Sequence, residues 1–326
     1  MPSAAVDRTL PRVFVVCPVY RDARAFVELR RRLIDALAGF AVPRDLRFVA
    51  VDDTAGEDTE MAAVADARTE VITPPYNLGH QGAIVFALRE LVPSLAPDDV
   101  VVTLDSDGED RPEDLPALLT PLVEHLDDLH LVALARRTRR KEPFGFRLSY
   151  LAFKLVFRVL TGTVVRSGNF AAMRGALVKA SIGHPSFDQC YSSSLVSLPF
   201  RRRDVPLPRG TRLAGESRMN FFKLVTHGMH MLMPFLERIA VRCLLVGGAG
   251  LGLGAAGLAL LLLNTLAGVP PLPGWLAPLV VIDLLGSVIG LLTSLTLFAT
   301  SARAKAQSVR VLHSEPGVAQ RQATDA

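Results

Sequence analysis

Three acidic residues at alternate positions, Asp105, Asp107 and Glu109, are the clearest chemical signal in this 326-residue sequence. In an extended chain, residues two apart face the same way, so three carboxyl groups can converge on one hard cation such as Mg²⁺ or Mn²⁺. A divalent ion there would offset the negative charge that develops on a departing diphosphate. A solvated acidic turn is the competing interpretation. The spacing therefore predicts a divalent-metal site but leaves its substrate open.

A second acidic pair, Asp52-Asp53, closes another predicted strand. A carboxylate at a strand end can accept hydrogen bonds from the ribose or base of a nucleotide. Helix N-capping is the alternative role for either aspartate. Because ligands of open α/β sheets bind beyond the carboxyl ends of the strands, we expect this pair to face the same cleft as the acidic run that begins at Asp105.

Short β-branched runs alternate with amphipathic patterns through the first two-thirds of the chain, which predicts an α/β fold with a mostly parallel sheet flanked by helices. The expected strands cover residues 13–17, 48–51, 70–73, 100–104 and 131–134. The expected helices cover residues 24–38, 81–92 and 113–126. Polar or acidic residues follow the strands, so the sheet would place them at one edge.

Residues 243–300 contain a single charged side chain, Asp283. Two stretches in this region, residues 243–266 and 275–300, exceed the roughly 20 apolar residues that a transmembrane helix needs. A buried core hairpin is the alternative. Basic residues flank the pair on one side only, at Arg238, Arg242, Arg303, Lys305 and Arg310. Positive-inside reasoning then places the globular domain and both termini on the cytoplasmic side of the inner (plasma) membrane.

Two further segments, at about residues 144–160 and 218–236, mix aromatic, aliphatic and basic residues as helices of a membrane interface do. A core helix is the alternative for the second segment. The predicted organisation is thus a globular domain over residues 1–236, a transmembrane hairpin over 237–302 and a polar tail over 303–326. Glycines in both spans predict close helix contacts, as expected of a homo-oligomer.

The composition favours a reducing compartment and an anionic ligand. The three cysteines, Cys17, Cys190 and Cys243, follow no metal or disulfide spacing. The net charge is only +4, and basic residues cluster beside apolar segments at 136–141 and 201–203. This pattern indicates a phosphate ligand or an anionic lipid surface and argues against a nucleic-acid partner.

Several short motifs together resemble glycosyltransferase family 2 with the GT-A fold, in particular the dolichol-phosphate mannose synthase and bacterial polyprenyl-phosphate glycosyltransferase group. The resemblance covers most of the chain and ends in two membrane helices. The motifs are Pro18-Val19-Tyr20, Asp52-Asp53, Asn77-Leu78-Gly79 with Ala83-Ile84, Asp105-Ser106-Asp107, Gly168-Asn169-Phe170 and Gly215-Glu216-Ser217.

The resemblance implies roles for these residues. The metal, Mg²⁺ or Mn²⁺, would be held by Asp105, Asp107 and Glu109, with Asp107 as the principal ligand. A nucleotide-sugar would bind at Pro18, Tyr20, Asp22, Asp53, Asn77, Gly79, Gln81, Asp105 and Ser106. Two positions depart from the family pattern, because Arg21-Asp22 replaces the usual Asn-Glu and Glu109 stands where Gln is common. The first departure bears on nucleotide preference and the second makes the metal site more acidic.

Relatives often carry Asp, a proposed base, where this chain has Asn169, which cannot accept a proton at ordinary pH. A phosphate monoester, with a second pKa of about 6, is already anionic and can attack without a base. Asn169 is thus compatible with a polyprenyl-phosphate acceptor, while Asp188 or Glu216 could serve as base for an alcohol. The candidate catalytic residues are Asp107, Asn169 and Arg212.

An acceptor phosphate needs cationic partners, and arginine binds phosphate through paired hydrogen bonds. The remaining basic residues of 136–141 fit a solvated or lipid-headgroup patch equally well. By family position the candidates are Arg136, Arg139, Arg147 with Ser149, Arg212 and Arg218.

Three functions stay open at this point. The favoured one is inverting transfer of a sugar from a UDP- or GDP-sugar to polyprenyl phosphate at the cytoplasmic membrane face, for cell-envelope or glycan assembly. The second is a family relative that uses a hydroxyl-bearing glycan or lipid acceptor. The third is an inactive membrane scaffold that binds a nucleotide-sugar.

Overall fold

The computed structural model describes residues 11–38, 40, 45–137, 144–164, 167–213 and 221–314. The chain divides into two compact units. One consists of Met1–Leu151 and Val165–Pro234, and the other of Ala152–Val164 and Phe235–Ala326. The first contains the sheet, and the second contains two long apolar helices.

A seven-stranded mixed sheet forms the centre of the first unit, in the order β3-β2-β1-β4-β6-β5-β7. Strand β6 runs antiparallel to both of its neighbours, whereas the other pairings are parallel. The strands are β1 Arg12–Val19, β2 Asp45–Asp52, β3 Thr69–Ile72, β4 Val100–Thr103, β5 Leu131–Arg137, β6 Ser167–Arg174 and β7 Arg201–Leu207. The predicted α/β class with a mostly parallel sheet is confirmed.

Helices cover both faces of this sheet and follow its strands in the chain. Short 3₁₀ turns at Met61–Val64, Val92–Ser94, Pro112–Asp114 and Met233–Phe235 link some of them. The helices of both units, of which α9 and α10 belong to the second, are α1 Ala23–Leu37, α2 Gly79–Leu91, α3 Leu115–Glu124, α4 Phe144–Thr161, α5 Gly175–Ser181, α6 Ser186–Gln189, α7 Tyr191–Ser197, α8 Phe221–Leu232, α9 Leu236–Leu266 and α10 Leu276–Ser314.

The core of the sheet unit forms where apolar helix faces meet the strands. On α1, Phe26, Leu29 and Leu33 are fully buried, and they belong to the same apolar cluster as β1 and β4. Burying a side chain of this size stabilises the fold by roughly 1.5–3 kcal/mol. This packing fixes the strand ends, from which the candidate site is built.

Two strands and three short helices were not predicted. Strand β6 has few β-branched residues, and its pairing with β4 and β5 holds it in the sheet. Strand β7 begins Arg201-Arg202-Arg203-Asp204, and these four residues are exposed on an edge strand. Neither sequence shows the apolar alternation that identifies a half-buried strand. Helices α5, α6 and α7 have seven residues or fewer, too short for a clear helical period.

Helices occupy both segments predicted to lie in a membrane interface. On α4, Leu151, Leu155 and Val159 form an exposed apolar stripe at four-residue spacing. On α8, Phe222 and Met229 are also exposed. These faces have the composition of interfacial helices, and their membrane contact stays a prediction.

The second unit contains two candidate transmembrane helices. The stretches Leu224–Leu266 and Leu276–Ala306 are long and apolar enough to cross a bilayer, and only 11% of each most apolar window is buried within the structure. Two glycines of α9 lie so close to α10 that a Cβ at either would collide, at Gly250 with the Ser287 side chain and at Gly254 with those of Leu284 and Asp283. Close helix contact is thus present at these two glycines, whereas a Cβ at Gly248 would meet no atom within 4 Å. Helix α10 continues to Ser314, into the predicted polar tail.

Candidate active site

The candidate site lies at the carboxyl ends of three adjacent strands, β2, β1 and β4. The Asp53 amide donates to the Val19 carbonyl over 3.0 Å, and the Leu104 amide donates to Val16 over 3.2 Å. These bonds extend the ladder past the strand ends and fix the residues that follow. The acidic pair and the acidic run are therefore brought to the same edge of the sheet, as the sequence predicted.

Asp53 and the Asn77–Gly79 motif form one hydrogen-bonded unit. Asp53 is buried, and its Oδ1 accepts the Leu78 amide over 2.7 Å, while the Asn77 side chain donates to the Asp53 carbonyl over 2.8 Å. Burial raises the pKa of Asp53, and the amides of Leu78 and Gly79 oppose that rise. Its other carboxylate oxygen can still accept a bond from a ligand hydroxyl or base.

Asp52 has a local structural role instead. Its Oδ1 accepts both the amide and the hydroxyl of Thr54 inside the protein. This pattern closes the turn after β2. Asp53 is therefore the member of the pair that is placed for ligand binding.

The segment after β1 carries three predicted nucleotide residues. Pro18 is buried within β1, Tyr20 is 40% exposed and Asp22 lies just before α1. Arg21, which departs from the family pattern, adopts a left-handed backbone conformation with φ of 56°. Its guanidinium pairs with Glu57 at 2.9 Å and lies over the Tyr20 ring at 5.8 Å from the ring centre. Arg21 thus braces the exposed ring that could contact a base.

The acidic run is a turn, not an extended segment. Strand β4 ends at Thr103, and Gly108 adopts a φ of +76°. Asp107 accepts the Glu109 amide over 2.9 Å, as in an Asx turn. Across the described part of the chain, no three His, Cys, Asp or Glu side chains are grouped closely enough to hold a metal. The expected convergence of three carboxylates therefore does not occur in this conformation, because Gly108 turns Glu109 away.

Two arginines of one loop bind the acidic turn. Arg212 pairs with Asp107 at 2.9 Å and with Glu109 at 3.2 Å, and Arg209 pairs with Glu109. The loop is also held by its backbone, since the Gly210 amide donates to the Glu109 carbonyl and the Leu213 amide to the Asp107 carbonyl, each over 2.8 Å. A Cβ at Gly210 would lie 2.8 Å from the Gly108 carbonyl oxygen, which explains the glycine. Arg209 was not predicted from the sequence.

The electrostatics of the turn separate Asp107 from Glu109. Burial and the neighbouring Asp105 raise the pKa of Asp107 to about 6. Burial also acts on Glu109, but its hydrogen bonds and charge attraction with Arg209 and Arg212 prevail and lower the pKa of its carboxyl. Asp105 and Asp107 thus form the more negative part of the turn, where Asp107 has one arginine partner, and Glu109 is balanced by two.

Asn169 of β6 is buried, and both ends of its side chain are engaged. Its Nδ2 donates to Asp105 Oδ1 over 2.8 Å, and its Oδ1 accepts from Gln81 Nε2. An ionised carboxylate only accepts hydrogen bonds, so the amide nitrogen must face Asp105. Gln81 is itself fixed, because its Oε1 accepts the Ser192 amide over 2.9 Å. Gln81, predicted to bind the nucleotide-sugar, therefore positions Asn169 here.

Two further residues next to Asn169, Thr103 and Tyr191, were not predicted from the sequence. The Thr103 hydroxyl donates to the Asn169 carbonyl over 2.6 Å and lies 2.9 Å from the Tyr191 hydroxyl. All three residues are buried. Burial raises the pKa of the Tyr191 phenol, which stays protonated and can act as a donor. This network fixes the strand that carries Asn169.

Comparison with known proteins agrees with this arrangement. The family model described as "Glycosyl transferase family 2" matches residues 14–181, more than half of the chain. The chain belongs to glycosyl transferase family 2. The predicted family is thereby confirmed, and the matched segment runs from β1 through β6 to the end of α5.

Relatives of this family 2 chain include undecaprenyl-phosphate 4-deoxy-4-formamido-L-arabinose transferases. The enzyme from Proteus mirabilis is 26% identical over 77% of this chain and 76% of its own length, and that from Edwardsiella ictaluri is 27% identical over 78% and 77%. Among solved structures, glucosyl-3-phosphoglycerate synthase from Mycobacterium tuberculosis in complex with Mn²⁺, UDP and glucosyl-3-phosphoglycerate is similar with a TM-score of 0.44. It is 19% identical, covering 70% of this chain and 80% of that one.

The acidic turn of the family 2 site suits a hard divalent cation by the chemistry of its side chains, although their present spacing in the described part of the chain does not form a closed metal site. Asp110, another residue missed by sequence reasoning, is buried, and its Oδ2 has no hydrogen-bond partner among the described residues. Its Oδ1 accepts from Arg137 at 3.2 Å, and burial, with the charges of Asp105 and Asp107, raises its pKa. A site with excess carboxylate oxygen and an orphaned buried acceptor is one that Mg²⁺ or Mn²⁺ would suit. Ser106 is buried between the two aspartates.

The predicted acceptor-phosphate residues are only partly placed. Arg136 lies at the end of β5, paired across to β6 and partly exposed. Arg139 and Arg218 lie outside the described residues, and so do the side chains of Arg147 and Ser149.

Of the two residues considered as a base for an alcohol acceptor, the structure describes only Asp188. Asp188 pairs with Arg89 at 2.7 Å and is 54% exposed, and Glu216 lies outside the described range. Asp188 is thus committed to a surface ion pair.

Proposed function

We propose that this protein transfers a sugar from a nucleotide-sugar to a polyprenyl phosphate at the cytoplasmic face of the inner membrane. The named relatives act on undecaprenyl phosphate, and the match to them extends over about three-quarters of both chains. The two candidate transmembrane helices support a membrane location. The acidic run, the Asp53 unit and the family membership support a nucleotide-sugar donor.

The observation that carries the choice of acceptor is the state of Asn169. Both ends of its side chain are engaged, the amide nitrogen by Asp105 and the amide oxygen by Gln81, and it has no group that can act as a base. An alcohol acceptor needs a base at the site, whereas a phosphate monoester is already ionised near neutral pH. A site with an engaged amide at this position suits an acceptor that arrives as an anion.

The donor would lie across the strand ends, with each part of it met by residues of this chain. Asp53 would accept from the ribose or base, and Tyr20 would offer its exposed ring. Asn77 and Gly79 fix this pocket, since Asn77 Oδ1 accepts the Gly79 amide over 3.1 Å. The transfer assay described below compares UDP-sugars with GDP-sugars as donors.

The diphosphate would lie at Asp105 and Asp107, the residues that would hold a divalent ion. When bound, Mg²⁺ or Mn²⁺ supplies positive charge against the leaving diphosphate. Glu109 keeps Arg209 and Arg212 at this position, so that their guanidinium groups can contact phosphate oxygens. Asn169 holds Asp105 in place without adding a further negative charge beside it.

In the proposed reaction, an oxygen of the lipid phosphate attacks the anomeric carbon opposite the leaving nucleoside diphosphate and inverts the configuration. The arginines proposed to receive the acceptor are Arg136, Arg139, Arg147 with Ser149, Arg212 and Arg218. A homo-oligomer remains part of the proposal, motivated by the glycine-lined spans.

The experiment is a transfer assay with purified full-length protein. Undecaprenyl phosphate is incubated with a panel of UDP- and GDP-sugars and Mn²⁺, and the lipid product is identified by mass spectrometry. We expect one donor to give a sugar-phosphate lipid, and excess chelator to stop its formation. Transfer only to a hydroxyl-bearing glycan or lipid would favour the second function. Donor binding without transfer to any acceptor would indicate a scaffold.

A further inference from the structure

A groove in the second unit combines two arginines with an apolar wall. It is open to solvent, has a volume of about 450 Å³ and is lined by Glu237, Arg238, Val241, Arg242, Leu245 and Phe298, among others. This volume falls in the range of roughly 300–1,000 Å³ that is typical of small-ligand sites. None of the residues proposed above for the donor or the acceptor belongs to this unit. The groove is therefore formed by residues other than those proposed for sugar transfer.

The basic and apolar residues of the groove form parallel stripes on α9. Arg238 and Arg242 are four residues apart, as are Val241 and Leu245, so each pair shares a helix face. Phe298 of α10 adds to the apolar side. Leu245 is 66% exposed, and the apolar wall is therefore continuous with the surface that would face lipid. This arrangement matches a molecule with an anionic head and an apolar tail.

The charge of the groove is positive after its own carboxylate is accounted for. Glu237 pairs with Lys305 at 2.6 Å and accepts from the Ser301 hydroxyl at 3.0 Å. The two arginines therefore give the groove more positive than negative charge. The uncharged run from Cys243 to Leu266 starts directly after Arg242, so both arginines lie at the polar boundary of the predicted span.

The guanidinium groups are held in place by the end of α4. Arg242 donates to the carbonyls of Arg158, at 3.4 Å, and Val159, and a Cβ at Gly162 would collide with its Nη2. Arg238 donates to the Thr163 hydroxyl at 3.3 Å. An arginine has five N–H donors, so the two bonds of Arg242, both made by Nη1, leave further donors of that side chain for a phosphate. Two arginines held on the same helix face can together bind one phosphate group.

We propose that this groove binds one anionic bilayer phospholipid, with its phosphate on Arg238 and Arg242 and an acyl chain along Val241, Leu245 and Phe298. Basic pockets at the cytoplasmic ends of membrane helices bind anionic headgroups by this chemistry. The inference rests on the membrane placement in the proposed function and not on sugar transfer. The bound lipid would anchor the hairpin at headgroup depth.

The test is native mass spectrometry of the delipidated full-length protein in detergent, titrated with dioleoylphosphatidylglycerol or dioleoylphosphatidylcholine. We expect one saturable phosphatidylglycerol site that phosphatidylcholine fills about tenfold less well. Arg238→Gln combined with Arg242→Gln should weaken it about tenfold, because both phosphate partners are lost. The matched control is Arg303→Gln, an exposed arginine on α10 outside the groove, which should leave binding unchanged.

Arg242 also binds α4, so the single variant Arg238→Gln provides a second measurement that leaves those bonds intact. Its phosphatidylglycerol binding should fall about threefold, a smaller loss than in the double variant, because one of the two phosphate partners remains. Equal binding of both phospholipids, or full binding by the double variant, would overturn the proposal. So would displacement of phosphatidylglycerol from the groove by equimolar undecaprenyl phosphate, since the groove would then belong to the acceptor. Sugar transfer is assayed on the same samples, so lipid binding without transfer would count against the proposed function alone.

Discussion

The side-chain amide of Asn169 donates to Asp105 over 2.8 Å and so joins strand β6 to the acidic turn. The bond places a neutral, proton-donating group where a base would otherwise lie beside the acidic cluster. It therefore connects the local geometry of the site with the kind of acceptor that the site can use.

Substitution of Asn169 tests this connection. Asn169→Asp would set a second carboxylate against Asp105, and we expect transfer to polyprenyl phosphate to fall about a hundredfold because like charges repel. Asn169→Ala removes the hydrogen bond without adding charge and should cost about tenfold. The measurement is the initial rate of lipid-product formation. A gain of activity in Asn169→Asp, with an alcohol as acceptor, would contradict the account.

Asp107 should be indispensable for metal binding. In Asp107→Asn the side chain keeps its shape but loses its charge, so Mn²⁺ should no longer raise the unfolding temperature, and transfer should be abolished. Differential scanning fluorimetry with and without Mn²⁺ measures this. The matched control is Asp35→Asn, an exposed carboxylate paired with Arg31 on α1, which should behave as the parent protein. Normal Mn²⁺ stabilisation of Asp107→Asn would refute the assignment.

Arg212 should compete with a divalent ion for Asp107, since its guanidinium lies 2.9 Å from that carboxylate. Arg212→Gln leaves Asp107 without this partner, and we expect a larger Mn²⁺-induced rise in unfolding temperature than in the parent. Arg209→Gln is the control, because Arg209 pairs with Glu109. The same rise in both variants would contradict a competition between Arg212 and the divalent ion for Asp107.

Gly108 should tolerate substitution poorly. Its φ of +76° disfavours any side chain, and a Cβ there would collide with the side chain of Leu213, in the loop that carries Arg209 and Arg212. Gly108→Ala should lower the free energy of unfolding by roughly 2–4 kcal/mol, the sum of the backbone and overpacking costs. Gly56→Ala shares the positive φ but meets only ordinary contacts, so it should cost about 1 kcal/mol. Chemical denaturation compares the two, and equal losses would exclude the collision.

The sequence predicted the parts of this fold that depend on local pattern. The apolar strands β1 to β5 and the two long apolar helices were predicted because burial leaves a clear run of residues. The exposed, arginine-rich strand β7 was missed, since its place is set by pairing with β5. For the same reason the pattern gave no sign of Asn169 lying in a strand.

The sequence predicted which residues form the candidate site better than it predicted the contacts between their side chains. Asp53 and Asn77 were expected to lie together, and they do. The turn at Gly108 directs Glu109 toward Arg209, which lies 100 residues further along the chain. No local pattern contains that contact.

The most direct test of the central claim is the nucleotide released during transfer. If the lipid phosphate attacks the anomeric carbon, the purified protein should release nucleoside diphosphate in equal amount to the sugar-phosphate lipid formed. Chromatography of the nucleotides, with mass spectrometry of the lipid, measures both products of one reaction. Equimolar diphosphate and monophosphoryl lipid would support the account. Release of nucleoside monophosphate, with a diphosphate-linked lipid, would contradict it.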